Sequence, residues 1–271
     1  MQKIRDRIVY YQFSSFQKYC PELMHLITTR IFGYSEKPYD SLNIGLHVGD
    51  KRYDVIRNRE LVCQTLGFNI NSMVAMQQSH SANVKVIDES YKGKGAREWE
   101  DGIEDTDGIV THTKNMILSG MAADCSLSIF YDPVKKVLAI SHSGWKGIVS
   151  GVLRNTISKM MKAFACKREN IQVGIGPAIC ERCYEVGDEL IEKMEASFPD
   201  CMDQILSKTR KGSRSINIVK ALQIQLCNEG IQPEHIELSN LCNACGIKEF
   251  YSYRNEDKTT GRFGLFAVLN D

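Results

Sequence analysis

The chain has 271 residues with 34 Lys and Arg against 33 Asp and Glu, a net charge of +1, so bulk charge recruits no polyanion and no nucleic-acid partner is expected. Its 43% apolar and 25% charged content is that of an ordinary globular protein, long enough to bury about three quarters of its unfolded surface without covalent staples. The opening stretch MQKIRDRIVYYQFSSF scatters charges through its first seven residues and lacks the apolar run of a secretory signal, and no stretch approaches the ~18 apolar residues of a membrane span. A cytoplasmic protein with no membrane partner is therefore expected. Its ten cysteines then read as thiols for metal binding, catalysis or packing rather than as disulfides.

Short runs rich in β-branched and aromatic residues predict strands over Ile8 to Phe13, Met73 to Gln77, Val84 to Ile87, Gly108 to Thr111, Leu127 to Tyr131, Val137 to Ile140, Ile171 to Ile175 and Phe263 to Leu269. Helical patterns lie between them: Tyr53 to Leu66 behind Asp50 as N-cap, Ile148 to Ala165 after a glycine turn, Gly187 to Ser197, and Asn217 to Asn228. Strands crowd the first half and helices enter later, which predicts an α+β fold of mixed β-sheets with flanking helices. No linker, repeat or low-complexity stretch divides residues 1–271, so one domain is expected.

Donor residues gather where strands meet turns. Gln77 Gln78 Ser79 His80 closes one strand, Ala123 Asp124 Cys125 precedes another, and Ser141 His142 Ser143 Gly144 Trp145 Lys146 Gly147 carries a strand through a glycine turn into a helix. His80, Cys125 and His142 are 45 and 17 residues apart, not the spacing of a compact zinc finger, so the residues alone say only that one Cys and two His could meet in space. If they met, a tetrahedral ion would keep a fourth position open, as in catalytic zinc sites. Cys180/Cys183 and Cys242/Cys245 are CxxC pairs able to form a closed four-thiolate site, but their separation of 59 positions, Cys183 to Cys242, exceeds the usual ~15–20 and argues against it. Two further segments suit anions: Ser41 to Asp50, with Arg57 and Arg59 on the following helix, and Tyr251 to Arg254 followed by Thr259 Thr260 Gly261 Arg262. Each also reads as an ordinary capped loop or solvated turn.

Taken in order, SLNIGLHVGD (41–50), QQSH (77–80), DGIVT (107–111), AADC (122–125), SHSGWKG (141–147), GIGPAICERCYEVG (174–187) and FYSYRNEDKTTGR (250–262) resemble the YfiH/YlmD family. That family was once called laccase-domain or multicopper polyphenol oxidase and is now regarded as one of purine nucleoside phosphorylases. The resemblance implies a YfiH-like fold and a zinc ion held by His80, Cys125 and His142, with copper less favoured. It implies phosphorolysis of adenosine, inosine or methylthioadenosine to the free base and the (methylthio)ribose 1-phosphate, together with deamination of adenosine. The partners are thus a small nucleoside and phosphate, and a homo-oligomer is compatible with the sequence. On this scheme Asp124 shuttles a proton, Arg59, Lys146, Arg254 and Arg262 are the cationic candidates, and Asn43 and Gln78 hold ribose or base through their amides. Lys146 stands where the family usually has Arg, and a Lys does not reproduce a bidentate Arg contact to phosphate. Ser126 Leu127 Ser128 also replace the usual aliphatic residue and Pro. Rival readings are a cysteine hydrolase with Cys125 as nucleophile and His80 or His142 as base, a copper-dependent phenol oxidase, and a non-enzymatic metal-stabilised interaction protein with no open coordination position.

Overall fold

A computed structural model describes residues 2–5 and 8–271 of the chain. Its strands form two six-stranded sheets. The first runs, edge to edge, β1 (Gln2–Arg5), β2 (Ile8–Tyr11), β3 (Leu23–Thr28), β14 (Phe263–Leu269), β7 (Ile117–Ala122) and β4 (Met73–Ala75). The second runs β13 (Ile236–Leu238), β10 (Gln172–Ile175), β8 (Ser126–Asp132), β9 (Val137–Ser143), β6 (Gly108–Thr111) and β5 (Val84–Val86). Pairing is antiparallel except for β4 with β7, β10 with β13, and β5 with β6. A small ladder joins β11 (Leu206–Lys208) to β12 (Arg214–Ile216).

Side-chain alternation explains the layering, because successive residues of a strand face opposite ways. In β8, Leu127, Ile129 and Tyr131 enter the core between the sheets, while Phe130 turns to the other face. In β14, Leu265, Ala267 and Leu269 join that same core, while Phe266 and Val268 face α1 (Arg52–Thr65), which contributes Val62 and Cys63. The outer face of the second sheet is covered by α2 (Trp145–Ser150), α3 (Val152–Phe164) and α6 (Ile218–Asn228), through Ile148, Leu153, Ile157 and Leu222. α4 (Asp188–Ser197) and α5 (Met202–Ile205) complete that layer with Met194 and Ile205. Strands covered on both faces read as unbroken apolar runs, which is why β8, β9 and β14 are visible in the sequence.

The expected α+β class holds, with local differences. Residues 148–165 form two helices rather than one, since Gly151 adopts φ 81° between α2 and α3 and no helix passes through that conformation. Asp50 does not cap α1: Lys51 is the N-cap, and the Asp50 carboxylate accepts from Asn43 Nδ2 at 2.8 Å. Asn217 caps α6 as expected, accepting from Lys220 N. The central strands β3 (LMHLIT) and β7 (ILSGMA) were not expected, because His, Gly and Ser interrupt their β-rich pattern. Among the described residues no helix is long and apolar enough to cross a membrane.

Candidate active site

The β8–β9 hairpin brings two of the donors together. Its register pairs Ser126 with Ser143 and Leu127 with His142, so Cys125, just before β8, lies at the same end of the hairpin as His142, near the end of β9. β6 pairs alongside β9, Gly108 opposite Ser141, and places Asp107 next to His142. The chain leaving β4 then crosses to Asp107, whose carboxylate accepts from the backbone N–H of Ser79 and His80 at 3.2 Å and of Ser81 at 2.7 Å. His80 and Asp124 both sit at positive φ, 63° and 94°, a strained backbone of the kind that gathers at functional sites.

His80, Cys125 and His142 consequently present one donor atom each, all within 4.8 Å of one another. The two imidazoles meet edge to face with centroids 4.9 Å apart. Gly144 faces this cluster, and a Cβ there would lie 2.7 Å from Cys125 Sγ. Burial alone would raise the Cys125 thiol, but the His142 and His80 rings beside it hold it well below its ordinary range. His142 moves the other way: burial opposes its charge, yet the Cys125 thiolate and the Asp107 carboxylate, 2.8 Å from Nδ1, raise it. Asp107 stays ionised, because the His142 and Ser81 bonds overcome its burial and hold it at about 2.

The cluster opens on a cavity of about 450 Å³, whose walls include His47, Asp124, Tyr184, Tyr253, Arg254 and Arg262. A second recess of about 200 Å³ adjoins it, shares His80, Asp124, Cys125 and Tyr184, and is lined by Lys146. Of the cations expected at the site, Arg254 and Arg262 line the larger cavity and Lys146 only the smaller recess.

Arg59 does not reach either. It is 0% exposed and spends its guanidinium on the carbonyls of Ile44, Gly95 and Ala96 at 2.6–2.9 Å. It locks the 41–50 loop to the segment around residue 95, so the expected contact with substrate is corrected to a structural brace. Asn43 is likewise wholly buried: its Oδ1 accepts from Gly45 N and Arg262 N at 2.9 and 2.8 Å, so it positions Arg262 rather than touching ribose. Gln78 lines the cavity, but its amide is doubly bonded to the backbone of Met121, at 2.7 and 2.8 Å. Asp124 accepts from Ser252 Oγ and Arg254 N, both at 2.7 Å, and thereby docks the C-terminal segment onto the site; burial raises its carboxyl despite those bonds.

Four residues escaped the sequence reading. Asp107 opens the DGIVT segment and His47 lies within SLNIGLHVGD, so both stood in quoted motifs without being singled out. His47 packs against Trp99 with centroids 4.4 Å apart, and burial together with Arg262 lowers it to about 4, leaving a neutral ring at pH 7. Tyr184 lies within GIGPAICERCYEVG and Tyr253 within the Tyr251 to Arg254 segment, quoted likewise without either ring being given a role.

Residues 24–270 match the family model described as multi-copper polyphenol oxidoreductase laccase. The chain belongs to this family. Within it, the chain is 35% identical over 250 residues to the purine nucleoside phosphorylase YlmD of Bacillus subtilis, covering 92% of this chain and 90% of that protein. It is 29% identical to the adenosine deaminase RL5 of an unknown prokaryotic organism, covering 87% and 89%. The fold superposes on YlmD from Geobacillus stearothermophilus with TM-score 0.93 at 28% identity, covering 100% of this chain and 98% of that one. These relatives support an enzyme of the purine nucleoside phosphorylase and adenosine deaminase kind.

Proposed function

We propose that the chain is a zinc-dependent purine nucleoside phosphorylase that also deaminates adenosine. The observation that carries this reading is the convergence of His80, Cys125 and His142 at the floor of a cavity walled by two arginines and two tyrosines. The donor set fits zinc. Zn–N and Zn–S bonds of about 2.0–2.3 Å put ligand atoms roughly 3.3–3.8 Å apart, within reach of donors this close, and three protein ligands are the complement of catalytic rather than structural sites. When bound, zinc supplies Lewis acidity that brings the pKa of water from 15.7 toward about 7.

The chain's own residues account for the rest. Asp107 keeps a proton on His142 Nδ1, which leaves Nε2 as the donor atom. Tyr184 and Tyr253 offer aromatic faces for a purine, and neutral His47 can donate or accept a hydrogen bond. Arg254 and Arg262 meet the anion. Arg254 is held by Glu185 O at 2.7 Å and lies 5.0 Å from the Tyr184 ring, while Arg262 lies 5.7 Å from the Tyr253 ring. In phosphorolysis a phosphate oxygen bonds to C1′ of the ribose as the C1′–N9 bond breaks, and the departing base takes up a proton. In deamination a water oxygen replaces the C6 amine, which leaves as ammonia. Each Asp124 oxygen accepts one bond and keeps a second lone pair, so that carboxyl serves as the proton shuttle beside the base.

The test is to incubate metal-analysed protein with adenosine, with and without phosphate, and separate adenine from inosine. Adenine that requires phosphate, together with inosine in its absence, is expected. Neither product from zinc-replete protein overturns the proposal.

One observation favours a second reading. Cys125, His142 and Asp107 stand as nucleophile, base and orienting carboxylate of a cysteine hydrolase. Such a triad needs one imidazole at sulfur, and His80 supplies a second, which a metal site explains and a nucleophile does not. Iodoacetamide-sensitive activity in protein without zinc would reverse that preference. A copper oxidase is disfavoured by donor count, since a trinuclear centre takes many more His than the six present.

A further inference from the structure

We infer that Cys180, Cys183, Cys242 and Cys245 form a second metal site, a structural zinc bound by four thiolates, which clamps together the two segments that wall the cavity. The sequence argued against such a site because of the long separation between the pairs. The fold removes that objection: the four Sγ atoms lie within 4.8 Å of one another. Cys180 Sγ and Cys183 Sγ are 3.8 and 3.5 Å from Cys245 Sγ. A tetrahedral ion with Zn–S bonds of about 2.3 Å has S···S edges of about 3.8 Å, whereas a disulfide closes to about 2.05 Å.

The surroundings are also those of thiolate ligands. Each CxxC is folded into a turn of its own, Cys183 N donating to Cys180 O at 2.9 Å and Gly246 N to Cys242 O at 2.8 Å. Two backbone N–H groups, of Cys180 and Cys245, point at Cys242 Sγ at 3.2 and 3.4 Å, bonds that stabilise sulfur carrying negative charge. Four thiolates and a divalent ion leave two negative charges, and Arg210 Nη2 approaches Cys245 Sγ at 3.3 Å to offset part of them. Among the described residues no further His, Cys, Asp or Glu joins the cluster, so the site is of the closed, structural type and no chemistry is assigned to it.

Its place in the fold gives the consequence. Cys183 precedes Tyr184, and the Cys242/Cys245 turn leads into the segment of Ser252, Tyr253 and Arg254, so one ion would pin both walls of the cavity. Because the ligands come from separate parts of the chain, metal binding and the closing of these loops are one equilibrium, and each thiol releases its proton as it ligates.

The test uses full-length protein purified under reducing conditions, with zinc measured by mass spectrometry and Co²⁺ substitution read by absorbance. Wild type should hold two zinc ions per chain, the His142→Ala variant one, and the Cys242→Ser/Cys245→Ser double variant one. Cobalt in His142→Ala should show the intense sulfur-to-metal charge transfer of a four-thiolate site, and the double variant should lose it. If the double variant does not fold, His142→Ala decides alone. Metal-free His142→Ala protein, unchanged zinc content in the double variant, or an intact mass lighter by the four hydrogens of two disulfides overturns the inference. Failure of the catalytic-zinc reading is distinct, because it would leave the zinc content of His142→Ala equal to wild type.

Discussion

Asp107 is one carboxylate that positions two of the proposed metal ligands. One oxygen orients His142 through Nδ1 while the pair of them gathers the N–H groups of Ser79, His80 and Ser81, which holds the strained His80 backbone in place. It is fully buried, so its charge is affordable only with these donors. Asp107→Asn keeps the shape but turns an NH₂ toward groups that already donate. Zinc affinity should fall about 10–100-fold, as for other orienting partners of ligand histidines, with the far-ultraviolet circular dichroism unchanged. A chelator competition that gives wild-type affinity would show that Asp107 does not orient the ligands. The buried cation shows the converse: Arg59 carries the residue type of a phosphate ligand, yet its burial and the three carbonyls that meet its Nε and Nη1 make it part of the loop scaffold.

The decisive element is the β8–β9 hairpin. Its turn, Asp132 to Val137, sets a register in which Ser126 faces Ser143, so the residue before β8 and the residue after β9, Cys125 and Gly144, end opposite each other. Gly144 sits at φ −85°, a backbone any residue adopts, so its requirement is for space alone. Gly144→Ala would put Cβ 2.7 Å from Cys125 Sγ and 3.1 Å from His80 Cδ2. The expected outcome is loss of the catalytic zinc with the fold retained, at an overpacking cost of about 1–3 kcal/mol, read by metal analysis beside a thermal melt. Full zinc occupancy in this variant would mean that the cluster is looser than its contacts indicate. The 17-residue spacing of Cys125 and His142, uninformative as a motif, is set by the length of this hairpin.

At the scale of the whole molecule, the net charge of +1 at pH 7 grows more positive as carboxylates and histidines take up protons, and to that general repulsion each buried titratable group adds a pH dependence of its own. His25 on β3 is 2% exposed, packs against Phe13 and Phe16 at 5.7 and 5.4 Å, and accepts Phe13 N at Nε2 at 2.9 Å. Burial lowers it from 6.5 to about 4. Between those values the unfolded chain binds more protons than the folded one, so stability is intact above about 6.5, declines as pH falls, and has lost about 3 kcal/mol by pH 4. His25→Gln, which still accepts the Phe13 N–H, should flatten denaturant-measured stability across this window. An unchanged slope would assign the acid sensitivity to other groups.

The sequence by itself determined the local chemistry: the apolar runs that become β8, β9 and β14, the asparagine cap at Asn217, and the donor types at His80, Cys125 and His142, made specific by their family motifs. These are properties of neighbours in the chain, so they survive without a fold. Tertiary structure alone decided which residues share a centre. Strand register placed Asp107 against the His142 ring and the His80 backbone, burial withdrew Arg59 and Asn43 from the cavity, and loop packing joined cysteines 59 residues apart into one cluster. The physical reason is that pairing register and burial are set by contacts between distant segments, whose energy no short stretch of sequence contains.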